Sequence, residues 1–591
     1  MKHIDLKSYL DQLRQEHELH VIEEPVDPHL ELAEIHRRVV AQQGPALLFT
    51  RVARSRFPAV TNLFGTPRRL ELAFGEDPAR FVRRIAEAAE SILPPRASAV
   101  WQFRDLLKTG LKLGTRRRLT GPVLDFRVAP VALCELPQIQ SWPLDGGPFL
   151  TLPLVYTEDP ETHAGNLGMY RNQIYDDWTA GMHFQIQRGG GFHYFEAEKR
   201  GIPLPVNLFL GGPPALMLSA IAPLPERMPE FVLASLLQGQ RLDLICSPGV
   251  SPLPIVAEAD FLLVGEVPPQ VRRREGPFGD HYGYYSLAHD FPVFEVKSMY
   301  HRKDAIFPAT IVGRPPQEDH YIGDYLQDLF APLYPLVLNG VQAVRAYDEA
   351  GMHPLAAAVV RERYRKEAFM AALRILSEGQ LSLTKFLLVT DARISLRDFR
   401  PLLIHILERA DFAGDLYVLS PAAQDTLDYS TRTLNEGSKA ILMGLGEARF
   451  ALAEAPQADL RDPRFRRQQV FAPGVLVVEG PSWQERDAVP ERLLEEPAVR
   501  TFRLVILVDD AAECVRDESS FLWTVFTRFE PAADIYGVAP RLQRYHVSLK
   551  APLLFDCRRK PWFPPVAEPD PKTVMQVDAL WPKIFPAAGG R

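Results

Sequence analysis

Cysteine is scarce in this 591-residue chain. Cys134, Cys246, Cys514 and Cys557 lie far apart with no CxxC pair, which excludes a disulfide scaffold and a clustered zinc site and suits buried thiols in a reducing compartment. Long apolar runs are missing too. The longest, Leu204–Leu224, is interrupted by Gly211-Gly212-Pro213-Pro214 and reads as strand, turn and helix rather than a membrane span. The N-terminal residues MKHIDLKSYLDQL contain no apolar signal core. A formal charge of −7, with basic runs no longer than stretches such as Arg116–Arg118, argues against a general nucleic-acid binder. No GxGxxG, Walker A or GxSxG motif occurs with suitable flanks. What remains is the profile of a cytoplasmic enzyme of several domains, 46% hydrophobic and 24% charged.

The chemistry-bearing stretch is Arg272–Tyr285, RRREGPFGDHYGYY. Glu275 and Asp280 bracket Gly276-Pro277-Phe278-Gly279, where glycine permits a tight turn and proline restricts it. Two acids on one rigid loop in different surroundings have their pKa values pushed apart, which leaves one of them as a proton donor. A solvated acidic turn beside a basic run is the competing reading. A second stretch, Asp145–Arg171, ends in Asn166-Leu167-Gly168-Met169-Tyr170-Arg171.

Together the NxGxxR segment, the EGPFGD loop, the Thr-Leu-Pro after Gly147 and the GRPP at Gly313–Pro316 resemble the UbiD family of aromatic and acrylic acid decarboxylases. The resemblance runs from the N-terminus to about residue 320 and resumes near Leu504. It implies prenylated FMN as cofactor, supplied by a partner flavin prenyltransferase, with Mn²⁺ and K⁺ at its phosphate. It further implies Arg171, Glu275 and Asp280 as catalytic residues, with Asp280 the acid whose pKa burial raises. Cofactor contacts are implied at Thr151, Asn166, Gly168, Met169, Arg171, Gln187, Pro223, Glu230 and Lys550, and metal ligands at Asn166, Gln187 and Glu230.

Two positions depart from the family pattern. Gln187 stands where the family has a histidine ligand, which shifts expectation toward Mg²⁺ or weaker Mn²⁺ selectivity. The phosphate-side lysine aligns with Pro552, leaving Lys550 or Lys439 as candidates. His183, His193 and Glu196 offer a separate metallohydrolase reading, and a flavin- or metal-binding protein without turnover is a further alternative. The substrate expected is a small aromatic acid of the hydroxybenzoate or hydroxynaphthoate type, in ubiquinone or menaquinone biosynthesis, with other phenolic or acrylic acids as alternatives. Peripheral membrane contact is expected if that acid is polyprenylated.

The expected architecture is mixed α/β and β, in several domains. Residues 1–115 read as an α/β unit and 116–318 as the split β-barrel that the resemblance implies. A helix at 319–346 links to an α/β domain at 347–560, with an insertion at about 421–500 and a tail at 561–591. The resemblance implies that this last domain joins protomers, hence a homodimer or homohexamer.

Overall fold

The computed structural model describes residues 3–91, 102–185, 189–224, 228–484 and 488–586. The N-terminal unit begins with the helix Leu6–Gln15, capped where the Asp5 carboxylate accepts the Ser8 backbone N–H at 2.8 Å. Its buried face is Leu6, Tyr9, Leu10 and Leu13, the helical spacing seen in the sequence. A four-stranded sheet follows in the order Leu19–Ile22, Ala46–Phe49, Ala59–Thr61, Phe307–Pro308. The last of these comes from far down the chain and ties this unit to the next.

The central sheet has eight strands: β1 (Phe126–Val128), β2 (Leu154–Glu158), β3 (Gly165–Met169), β4 (Thr179–Gly181), β5 (Leu204–Leu210), β6 (Phe261–Val267), β7 (Arg272–Glu275) and β8 (His289–His301). The order is β4-β8-β6-β5-β2-β3, with β1 and β7 also paired to the long β8, and every pairing is antiparallel. The described strands form an open path, not a closed barrel. Two helices flank it: α1 (Gly189–Arg200) and α2 (Glu230–Gln238).

The helix expected over 319–346 ends early. Helix α3 spans Glu318–Phe330, and after two short turns Gly340 takes a φ of 87° and β9 (Val341–Ala346) begins. Pro332 and Pro335 interrupt the helix, the left-handed Gly340 redirects the chain, and the β-branched Val341 and Val344 suit the strand that follows.

Two five-stranded sheets complete the fold. The first contains β9, β10 (Leu355–Val360), β11 (Phe386–Thr390), β12 (Leu416–Ala423) and β13 (Glu436–Gly444) in the order β9-β10-β11-β13-β12. The second contains β14 (Arg467–Ala472), β15 (Val475–Glu479), β16 (Leu504–Val508), β17 (Ile535–Gln543) and β18 (His546–Asp556) in the order β14-β15-β16-β18-β17. Residues 421–500, read from sequence as an insertion, thus carry strands of both sheets. Short helices α4 (Phe399–Leu407) and α5 (Phe412–Asp415) belong to the first unit, α6 (Glu518–Arg528) and α7 (Pro531–Asp534) to the second.

The tail then crosses the central unit and ends in α8 (Pro571–Ile584). There Arg38 reaches Asp578 at 2.7 Å and the Val574 carbonyl at 2.9 Å, and His20 contacts the Ile584 carbonyl at 2.8 Å. Among the described residues no helix is long and apolar enough to cross a membrane.

Candidate active site

Strand β7 delivers Glu275 to the interior, and the chain turns at once through Gly276, whose φ is 87°. Three polar side chains hold the loop that follows. Asp145 accepts the backbone N–H of Gly279 at 2.7 Å and those of Ser141 and Trp142 at 3.0 and 2.8 Å. Gln173 accepts from Gly276 N–H at 2.8 Å and donates to the Gly146 carbonyl at 2.6 Å. Ser286 Oγ accepts from Phe278 N–H at 3.1 Å. Gly279 is required by space, since a Cβ there would lie 2.2 Å from the Trp142 ring.

Arg171, just beyond β3, is the hub. Its Nε donates to Glu275 at 3.1 Å, one Nη to Asp280 and the other to Ser286 at 3.2 Å, while the guanidinium lies 4.7 Å from the Phe278 ring centre. Charge-assisted bonds of this kind are the strong ones, and the planar fork fixes direction as well as energy. His183 Nδ1 sits 2.9 Å from the same Glu275 oxygen. The other oxygen, Oε2, is buried without a hydrogen-bond partner among the described residues.

Burial pushes the Glu275 carboxyl up, but His183 and Arg171 outweigh it and hold it below the usual range. Asp280 differs from expectation. Burial again acts upward, yet the Arg171 charge and the hydrogen bonds and charge of His281 hold this carboxyl far below the ordinary value. His281 is the counterpart: burial lowers its pKa, and Asp280, 2.8 Å from Nδ1, more than reverses that. One hydrogen bond thus joins the two, holding the imidazole's pKa up and the carboxyl's down. Asp145 is pushed up by burial to about 7, against the pull of its three backbone donors.

The far side of the loop is braced by C-terminal elements. Trp523 Nε1 on α6 donates to the Tyr282 carbonyl at 2.9 Å, and its ring stacks on Tyr284 at 5.2 Å. The tail adds Tyr285 N–H to the Pro565 carbonyl at 3.0 Å and Ala567 N–H to the Gly283 carbonyl at 2.9 Å. Tyr429, between β12 and β13, accepts from Leu287 N–H at 3.3 Å.

Of the other expected contacts, Asn166 and Glu230 come together, for Glu230 accepts the N–H of Leu167 at 3.0 Å. Gly168 and Met169 lie on β3 beside them. Thr151 Oγ1 accepts from Thr310 N–H at 3.0 Å. Gln187 lies outside the described residues, and Pro223 is exposed. Lys550 is exposed on β18, opposite Val538 in the second C-terminal sheet, and is not brought to Arg171. Lys439 is buried and spent on the Ser382 and Thr384 carbonyls at 2.7 and 2.9 Å.

The three residues of the metallohydrolase reading go separate ways. His183 contacts Glu275, His193 contacts Thr157 at 2.8 Å, and Glu196 pairs with Arg200 at 2.8 Å. Sequence reasoning gave no role to Asp145, Gln173, Ser286, His281 or Tyr429. The first two flank the quoted motifs, and His281 adjoins the acid it serves.

Comparison with known proteins identifies the family. Family models described as the N-terminal, Rift-related and C-terminal domains of 3-octaprenyl-4-hydroxybenzoate carboxy-lyase match residues 10–89, 116–315 and 320–444. A protein of Chlamydia trachomatis is 48% identical over 98% of this chain and all of its own length. A relative from Chlamydia pneumoniae, named as one component of a 4-hydroxybenzoate decarboxylase, is 46% identical over 98% of both chains. Among solved structures, the closed form of Sedimentibacter hydroxybenzoicus vanillic acid decarboxylase superposes with a TM-score of 0.65 at 22% identity, covering 78% of this chain and 96% of its own. HmfF of Pelotomaculum thermopropionicum, in complex with FMN, gives 0.62 at 23% identity, covering 79% and 97%. With its family models spread over the N-terminal, central and first C-terminal units and an Arg171–Glu275–Asp280 hub at its centre, the chain belongs to the UbiD family of carboxy-lyases.

Proposed function

We propose that this enzyme releases carbon dioxide from a hydroxybenzoate or hydroxynaphthoate in quinone biosynthesis, with prenylated FMN bound against the central sheet. The observation that carries the reading is Arg171, held between Glu275 and Asp280 with its guanidinium over the Phe278 ring. The family match and the name of the Chlamydia pneumoniae relative support the substrate class.

The residues present suit the cofactor. Glu275 Oε2 is buried and unsatisfied among the described residues, as a group that meets a bound ligand would be. Asn166 Oδ1 faces Gly189 at the start of α1, where a Cβ would come within 2.1 Å, and Glu230 stands beside it through Leu167. Asn166 and Glu230, joined by Gln187, would hold a divalent Mn²⁺ or Mg²⁺ at the cofactor phosphate with K⁺ nearby, since hard oxygen ligands suit both divalent ions. Prenylated FMN, made by a partner flavin prenyltransferase, supplies the electron sink that an aryl carbanion needs.

The chain's own residues do the rest. Arg171 binds the substrate carboxylate, and Glu275, oriented by His183, keeps Arg171 aimed. Asp280 faces the reacting carbon and passes it the proton held at His281 Nδ1. The test is protein coexpressed with a flavin prenyltransferase and assayed for carbon dioxide release from 4-hydroxybenzoates and dihydroxynaphthoates. Release by the wild type, abolished in Arg171→Lys with flavin retained, is expected. Flavin-loaded wild type that decarboxylates none of these acids would sink the proposal.

A further inference from the structure

We propose that the second C-terminal unit is a diverged duplicate of the first, and that it fills, within one chain, the two-fold face through which two copies of such a unit would pair. The topologies coincide strand for strand. In each unit the first strand is antiparallel to the second, the second, third and fourth in space are parallel, and the last is antiparallel. In each, a helix, a one-turn helix and an edge strand follow the central strand in the same order, the second unit adding a short helix, Ala511–Val515, ahead of them.

The residues agree as well. Without a gap, Leu396–Pro421 lies over Val515–Pro540, matching Arg397-Asp398 to Arg516-Asp517, Leu403 to Leu522, Arg409 to Arg528, Ala413 to Ala532, Asp415 to Asp534, Tyr417 to Tyr536 and Pro421 to Pro540. Buried positions correspond too, Leu402, Leu403 and Ile406 on α4 to Phe521, Leu522 and Val525 on α6. One short loop upstream, Phe386–Thr390 lies over Leu504–Val508 and Lys385 over Arg503.

The docking is reciprocal element by element, the pattern a two-fold interface requires, where one element of each copy meets the same partner element of the other. The Ala413 carbonyl of the first unit is met by His546, at the start of β18, at 3.1 Å. Its counterpart Ala532 donates its N–H to Ser438 of β13, the strand equivalent to β18, at 2.9 Å; by register Ser438 stands opposite Ala551 rather than His546, so here the strands correspond and the residues do not. Arg503 reaches the Ala410 carbonyl and lies 4.4 Å from the Phe412 ring centre, while its counterpart Lys385 lies 5.4 Å from the ring of Phe529, which stands where Ala410 stands in the first unit. Helix α5 packs on β18 and α7 on β13, and one buried apolar cluster is drawn from both sheets.

A self-complementary face satisfied inside the chain is not available to a second chain. The proposal therefore runs against the homodimer or homohexamer expected from resemblance. It also accounts for where the resemblance resumes, because Leu504 begins the strand that repeats Phe386–Thr390. Freed from repeating the first unit, the second has turned α6 toward the catalytic loop.

Light scattering on the full chain, with and without flavin, tests this alongside a cysteine pair, Ser438→Cys with Ala532→Cys, oxidised and run without reductant. The expected mass is that of one chain, 66.6 kDa, with the new disulfide closing inside it. A mass of two or more chains at micromolar concentration, or a disulfide that joins chains, overturns the proposal. Neither readout depends on decarboxylase activity.

Discussion

At the scale of single residues, the site is decided by which charge wins at Asp280. Desolvation pushes its pKa up, but Arg171 and His281, both within hydrogen-bond reach, outweigh it and hold the carboxyl well down. Asp280→Asn is expected to lower kcat by about 10²-fold or more while flavin stays bound, as befits loss of a general acid. Retention of the wild-type rate would remove Asp280 from that role. His281→Asn makes a sharper test. If the proton rests on the imidazole, wild-type turnover falls as pH rises through the raised His281 pKa, and the variant should lose that limb. An unchanged pH–rate profile would place the proton elsewhere. The motif announced both acids and the arginine, because their chemistry needs these residue types at that spacing. It could not announce His281, since an imidazole after an acid is unremarkable until the backbone turns Nδ1 back onto the carboxylate.

At the scale of elements, two joints between units are measurable. His320, in the first turn of α3, pairs with Asp348, and burial's downward push is reversed to give a pKa of about 9. A histidine raised above its unfolded value of about 6.5 stabilises fully below that pH, and the contribution fades as pH climbs through 9. Denaturant titrations of wild type and His320→Gln should therefore differ by on the order of 2 kcal/mol at pH 6 and converge by pH 10. Curves that stay parallel across this range would refute the pairing.

The second joint is Trp523. Trp523→Phe keeps a ring on Tyr284 but loses the bond to the Tyr282 carbonyl, so a several-fold fall in kcat with little change in melting temperature is expected from one hydrogen bond of about 1 kcal/mol. Equal losses in the two measurements would make it a stability residue only. The α/β character of 347–560 was legible, and strands such as Phe386–Thr390 and Leu504–Val508 are the short β-branched or leucine-rich runs that carry it. The stretch after Phe330 was not. Its apolar residues fit either period, and Pro332, Pro335 and the left-handed Gly340 decide against a continued helix.

At the scale of the whole molecule, the family and the order of its units were readable from separated motifs, whereas the doubling of the C-terminal unit was not. Repeats this diverged share burial and strand order more than identity, and strand order exists only in three dimensions. The tail was legible only as a segment draped on some surface. Its path from the second sheet across the catalytic loop to the N-terminal unit follows from contacts such as Pro565 with Tyr285 and Asp578 with Arg38. A chain ending at residue 560 should keep its circular dichroism yet lose most of its turnover. Full activity in that truncation would show the strap to be dispensable.

That path also sets a clock on biogenesis. A ribosome releases Glu275 and Asp280 long before it has made Trp523 or Pro565, the residues that clasp their loop. The half-made enzyme thus holds its acids and arginine on a loop tied from one side by Asp145, Gln173 and Ser286, and the second side closes only when the last residues thread back to the beginning of the polypeptide.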